Sequence, residues 1–115
     1  MSVITRRILI TGANKGIGYA IVNGCLSEYD DTFCILGCRS RERGEAAASA
    51  LIAECAAWKD RMMVLEMDTT CDASVQAAAA VVTNRFGTDP PPLYGLVNNA
   101  GIAAGTIEDL SLIHI

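Results

Sequence analysis

The sequence predicts an α/β fold: a doubly wound parallel sheet with helices on both faces and strands in the order 3-2-1-4. Three observations carry this. Short apolar runs of strand type alternate with longer helical stretches from Arg7 to Asn98. Such alternation with short connections implies right-handed crossovers and one parallel sheet. The second run, Thr32-Phe33-Cys34-Ile35-Leu36-Gly37-Cys38, is apolar nearly throughout, as a strand covered on both faces is. Glycine-rich or polar residues then stand at the carboxyl end of every strand, where folds of this kind bind ligands.

Taken in order, the first strand is expected over Arg7–Thr11 and the first helix over about Gly16–Glu28. A polar turn, Glu28-Tyr29-Asp30-Asp31, leads to strand 2 at Thr32–Cys38. Arg39-Ser40-Arg41 ends that strand and opens an alanine-rich helix reaching Cys55, with Leu51 and Ile52 on its inner side. Trp58-Lys59-Asp60 is a connection, and Met62–Met67 is strand 3. Asp68-Thr69-Thr70 follows, and Asp72 or Ser74 is expected to cap a helix running to Phe86. The stretch from Gly87 to Pro92 is a loop, since three consecutive prolines fit neither a helix nor a central strand. Leu93–Asn98 is strand 4, leading into Asn98-Asn99-Ala100-Gly101.

The most informative stretch is Thr11-Gly12-Ala13-Asn14-Lys15-Gly16-Ile17-Gly18. A strand precedes it and a helix follows. The first N–H groups of a helix have no partner inside it, and that end carries partial positive charge. A pyrophosphate fits there when nothing blocks its approach, and glycine has no Cβ to block it. The spacing is G-x-x-x-G-x-G. It is not a P-loop, because Lys15 precedes Gly16 rather than following it.

Composition narrows the classes further. The 115 residues are 51% hydrophobic and 19% charged, which suits a globular core rather than disorder. The net charge is −4, and no basic stripe points to nucleic acid. No apolar run approaches the roughly 18 residues of a membrane helix, and no signal peptide is evident. A cytoplasmic protein with neither nucleic acid nor membrane as partner is expected. The five cysteines show no C-x-x-C spacing and are read as small core residues, with Cys34 and Cys38 on one face of strand 2. A zinc site lacks ligands, since His114 is the single histidine, and no metal is expected.

Gly12-Ala-Asn-Lys-Gly-Ile-Gly18, Arg39, Asp68 and Asn98-Asn-Ala-Gly101 together resemble the short-chain dehydrogenase/reductase family, over nearly everything from Arg7 to about Leu110. The glycine motif and Leu36-Gly-Cys-Arg39 look most like carbonyl reductases of the monomeric kind. The resemblance implies the N-terminal portion of a Rossmann-type domain, residues 1–109. It implies that Gly12, Gly16, Ile17 and Gly18 surround a pyrophosphate and that Asn14 and Lys15 lie beside the adenosine ribose. Asp68 would accept from the adenine amino group, with Thr69 beside it; the other reading of Asp68 is a helix-capping carboxylate. Asn98, Asn99, Ala100 and Gly101 would lie along the cofactor's middle, although Asn98 is open to a second reading as a tie between strands.

An NAD site places Asp or Glu at the end of strand 2, where it bonds the ribose 2′-hydroxyl. Here Cys38 and Arg39 stand there. Arginine pairs with phosphate, and Lys15 adds a second positive charge on that side, so NADP(H) is the expected cofactor. The alternative is that Arg39 and Arg41 are solvated surface charges. The expected activity is NADPH-dependent reduction of a small aldehyde or ketone. A non-catalytic NADP-binding regulatory or scaffold module is the alternative. The family's Ser and Tyr-x-x-x-Lys are absent: Tyr19, Tyr29 and Tyr94 have no lysine four residues on. No residue here is therefore assigned a catalytic role, and the chain is expected to be an inactive fragment. Leu110-Ser111-Leu112-Ile113-His114-Ile115 corresponds to one reading frame of a sequencing-library transposon end, so residues 110–115 are expected to be a non-native tail.

Overall fold

The computed structural model describes residues 4, 6–88 and 91–99. Its elements follow the order β1 (Arg6–Thr11), α1 (Gly16–Glu28), β2 (Thr32–Cys38), α2 (Arg41–Glu54), a short 3₁₀ segment (Ala56–Arg61), β3 (Met62–Glu66), α3 (Asp72–Phe86) and β4 (Gly95–Val97). The sheet is parallel, in the order β3-β2-β1-β4. This is the predicted topology. Every residue of β2 is buried, as its continuous apolar run requires.

Side chains alternate across the sheet with period two. Ile10, Cys34, Leu36 and Cys38 face one way, against Val22 and Leu26 of α1 and Ala47, Ala48 and Leu51 of α2. Leu9, Phe33, Ile35 and Leu65 face the other way, against Ala78 and Val82 of α3. Cys34 and Cys38 thus share a face and are buried there as free thiols. Ile52 and Trp58 pack against the first cluster from its margin. Val75 and Val81 of α3 point outward and are exposed.

Beyond single-residue shifts at the ends of β1, α2 and β3, three features differ from the sequence expectation. The connection around Trp58 is a 3₁₀ turn ending in Arg61. The Arg61 guanidinium donates to the carbonyl oxygens of Thr32 (3.1 Å), Leu26 (3.1 Å) and Tyr29, which fastens the end of α1 to the start of β2. Neither Asp72 nor Ser74 caps α3. Cys71 holds that position without a side-chain bond, and the Ser74 hydroxyl instead accepts from the Asp68 N–H at 2.9 Å. Strand 4 is three residues long instead of six. The Tyr94 N–H still reaches the carbonyl of Arg7 at 2.8 Å, but the pairing stops after Val97, where the chain turns onto Thr11.

Candidate functional site

The segment between β1 and α1 is held open by backbone geometry. Gly12 has φ 62° and Gly16 φ 60°, a region that disfavours any residue with a Cβ. Around Gly16 there is open space, so conformation alone selects glycine there. Gly18 is selected by contact. A Cβ on it would overlap the Gly12 carbonyl oxygen and stand 2.6 Å from Asn99 Nδ2. Ala13 is fully buried and donates its N–H to the carbonyl of Gly37 at 3.2 Å, pinning the turn to β2. Asn14 is half-buried at the mouth of the turn, whereas Lys15, Gly16 and Ile17 are exposed.

The end of α1 lacks its own cap. Lys15 occupies the N-cap in an extended conformation, its side chain makes no capping bond, and the first turn carries no acidic residue. At the corresponding end of α2, Ser40 Oγ accepts from the Arg43 N–H at 3.3 Å. The exposed, glycine-lined end of α1 therefore presents donors and partial positive charge with no internal acceptor supplied by a cap. That is the chemistry that receives an anion.

Asn99 secures the other side of the turn. Its Nδ2 donates to the carbonyl oxygens of Thr11 (3.2 Å) and Gly12 (3.3 Å), and its backbone N–H donates to Thr11 Oγ1 at 2.9 Å. Thr11 Oγ1 lies 3.4 Å from both the Val97 carbonyl oxygen and Asn98 Oδ1. Asn98 thus meets β1 at Thr11, and Asn99 adds its own bonds to the same turn. Both residues are half-buried. Ala100 and Gly101, like the tail 110–115, lie outside the described residues.

The ends of β2 and β3 come together through Arg39 and Asp68, whose Nε and Oδ2 are 3.9 Å apart. The Arg39 side chain is 79% exposed, so this pair is loosely held. Asp68 Oδ1 accepts from the Thr70 hydroxyl at 2.6 Å and the Thr70 N–H at 2.9 Å. These bonds, and behind them the Arg39 charge, hold its carboxyl below the ordinary carboxylate value. Asp68 closes its own turn and does not cap α3, so the helix-capping reading fails. Thr69 is exposed next to it.

An open groove of about 710 Å³ runs from Arg39 along the first turns of α2, bordered also by Ser40, Glu42, Arg43 and Ala46. Arg43 was not singled out from sequence. No helical periodicity signals it, because Arg39 precedes the N-cap Ser40 and lies outside α2. Arg41, which the surface-charge reading included, pairs with Glu45 at 3.5 Å and does not line the groove. Among the described residues, no group of three His, Cys, Asp or Glu side chains is placed to hold a metal ion, and no helix is long and apolar enough to cross a membrane.

The chain is similar to known proteins over most of its length. The short chain dehydrogenase family model matches residues 6–114. Carbonyl reductase (NADPH) 3 of Rattus norvegicus is 37% identical over 103 residues, covering 90% of this chain and 34% of that protein. The structure of menthone neomenthol reductase from Mentha piperita superposes with a TM-score of 0.77 at 35% identity, covering 85% of this chain and 32% of that one. NADPH-bound carbonyl reductase from chicken fatty liver superposes at 0.70 with 29% identity, over 96% of this chain and 42% of that one. The chain spans about a third of the length of the curated relatives it matches.

Proposed function

Because the chain belongs to the short-chain dehydrogenase family, we propose that it forms the adenosine and pyrophosphate half of an NADP(H) site in a cytoplasmic carbonyl-reducing oxidoreductase. The observation that carries the reading is the uncapped end of α1, opened by Gly12 and Gly16 and packed close by Gly18. The donor chemistry of the residues suits the group: an uncapped helix end with open space at Gly16, and two guanidinium side chains, with Glu42, bordering the groove at the end of β2.

In this reading the N–H groups around Gly16, Ile17 and Gly18 hold the pyrophosphate, with Gly12 shaping the turn beneath. Asn14 and Lys15 flank the adenosine ribose. Arg39 and Arg43, with Lys15, supply positive charge for a 2′-phosphate, and no carboxylate stands at the end of β2 to repel it. Asp68 stays ionised and accepts from the adenine amino group, with Thr69 beside it. Asn99, together with Asn98, orients the turn, and Ala100 and Gly101 continue along the cofactor's middle. The bound dinucleotide supplies the hydride that reduces an aldehyde or ketone to an alcohol. This chain's residues bind and orient; none of them is assigned the proton transfer to the carbonyl oxygen.

Titration of NADPH and NADH into the protein tests the cofactor half, with NADPH expected to bind more tightly. Tighter NADH binding would overturn it. In a protein of its relatives' length that carries this segment, a panel of aldehydes and ketones, followed by loss of NADPH absorbance, tests the reaction class. NADPH binding with no consumption across the panel would favour a non-catalytic NADP-binding module instead.

A further inference from the structure

Glu54, the last residue of α2, lies far from the glycine turn in sequence and is solvent-exposed. Its Oε2 nevertheless accepts a 2.7 Å hydrogen bond from Asn23 Nδ2 in the middle of α1. Tyr19 is one helical turn closer to the glycine-lined end, on the same face as Asn23. The Tyr19 hydroxyl is held above its ordinary pKa by burial first, then by the nearby Glu54 carboxylate. The Glu54 carboxylate therefore ties the end of α2 to the middle of the helix that carries the anion-binding end, and its charge reaches the turn before.

We propose that Glu54 is a positioning residue for the pyrophosphate-binding end of α1, acting through Asn23; this rests on the dinucleotide reading above. The other anchors of α1 leave that task open. Val22 and Leu26 bury its inner face, but apolar burial is non-directional and tolerates small rotations. Gly18 limits how closely the helix approaches the turn, and Arg61 fixes its far end. The directional bond that Glu54 accepts from Asn23 sets its rotation. An α-helix rises about 1.5 Å per residue, so Asn23 is only about 10 Å along the rod from Gly16, and a small rotation there re-aims the terminal N–H groups.

The test titrates NADPH and adenosine 2′-monophosphate, which lacks the pyrophosphate, into the wild-type protein, Glu54→Ala and Glu54→Gln. Glu54→Ala is expected to weaken NADPH binding about two- to fivefold, the scale of one exposed hydrogen bond. It should leave adenosine 2′-monophosphate unchanged. Glu54→Gln keeps an acceptor oxygen for Asn23 and should bind NADPH like the wild type. Unchanged NADPH affinity in Glu54→Ala, equal losses for both ligands, or a Glu54→Gln variant as weak as Glu54→Ala would each overturn the proposal. A wild-type protein that binds adenosine 2′-monophosphate and NADPH no better than free nicotinamide would instead remove the dinucleotide reading, and the proposal with it.

Discussion

Gly18 is packed so closely on Gly12 that a single methyl group at position 18 would overlap the Gly12 carbonyl oxygen. The same methyl would stand 2.6 Å from Asn99 Nδ2, the atom that bonds the carbonyls of Thr11 and Gly12. The Gly12 carbonyl is backbone and cannot swing aside, and the Asn99 amide is held in place by its two hydrogen bonds to the turn. Gly18→Ala is therefore expected to cost about 1–3 kcal/mol of stability, the usual penalty of overpacking a tight contact. Gly16→Ala meets no atom and costs about 1–2 kcal/mol, through its left-handed backbone alone. Urea unfolding of the two variants separates the causes. In Gly18→Ala the turn must move away from α1, so NADPH affinity should fall more steeply than in Gly16→Ala. Equal affinities in the two would show that the close packing does not shape the anion site.

Two helical glycines give a contrast on the core side. A Cβ on Gly44 would come within 2.6 Å of Val64 Cγ1 and 3.1 Å of Cys38 Sγ, because α2 crosses close over β2 and β3. Gly24, in α1, has nothing within 4 Å. Gly24→Ala should stabilise the protein by about 0.5–1 kcal/mol, since alanine loses less chain entropy in a helix. Gly44→Ala should destabilise it by about 1–3 kcal/mol. Thermal melting of the two variants, read by the fluorescence of the single tryptophan, Trp58, checks both signs.

The topology was legible because each local pattern agreed with the global one. An apolar run such as Thr32–Cys38 has no stable place except between two layers of helix, and the connections force parallel pairing. Features set by partners distant in sequence were not legible. Ser74 looked like a helix cap, yet its hydroxyl is taken by the Asp68 N–H. Strand 4 looked six residues long, but Thr11, 88 residues away from Asn99, accepts that residue's N–H and turns the chain off the sheet. Within the site, the glycines could be read because their requirement is written in the backbone. Arg43 could not, because only the course of the groove separates it from Arg41, which turns away to Glu45.

The thiols should differ sharply in behaviour. Cys34 is fully buried, and burial pushes its pKa from an ordinary 9.0 up to about 12. Cys71 is exposed. At neutral pH an aromatic disulfide reagent should therefore label Cys71 readily and leave Cys34 untouched until the protein unfolds. The linkage sign follows from the raised value. The folded state keeps the Cys34 proton where the unfolded chain gives it up. Its contribution to stability is complete below pH 9 and is lost as pH rises towards 12. Alkaline unfolding curves for the wild type and Cys34→Ala should converge over that interval. A gap that stays constant across it would show that the thiol does not titrate with folding.

Arg39, Arg41 and Arg43 give the most direct test of cofactor choice. Arg39 and Arg43 border one groove, and Arg41 points along the outside of α2 to Glu45. A 2′-phosphate adds negative charge that NADH lacks, so a residue contacting it should affect NADPH alone. Arg43→Ala is expected to weaken NADPH binding about three- to tenfold, in keeping with a charged hydrogen bond at an open site, and to leave NADH unchanged. Arg39→Glu should have the larger effect, because it adds repulsion and sets a second carboxylate beside Asp68. Arg41→Ala should change neither cofactor. Raised salt should shrink the NADPH advantage in the wild type more than in Arg43→Ala. If Arg41→Ala lost as much NADPH affinity as Arg43→Ala, the selectivity would come from the general charge of α2 and not from the groove.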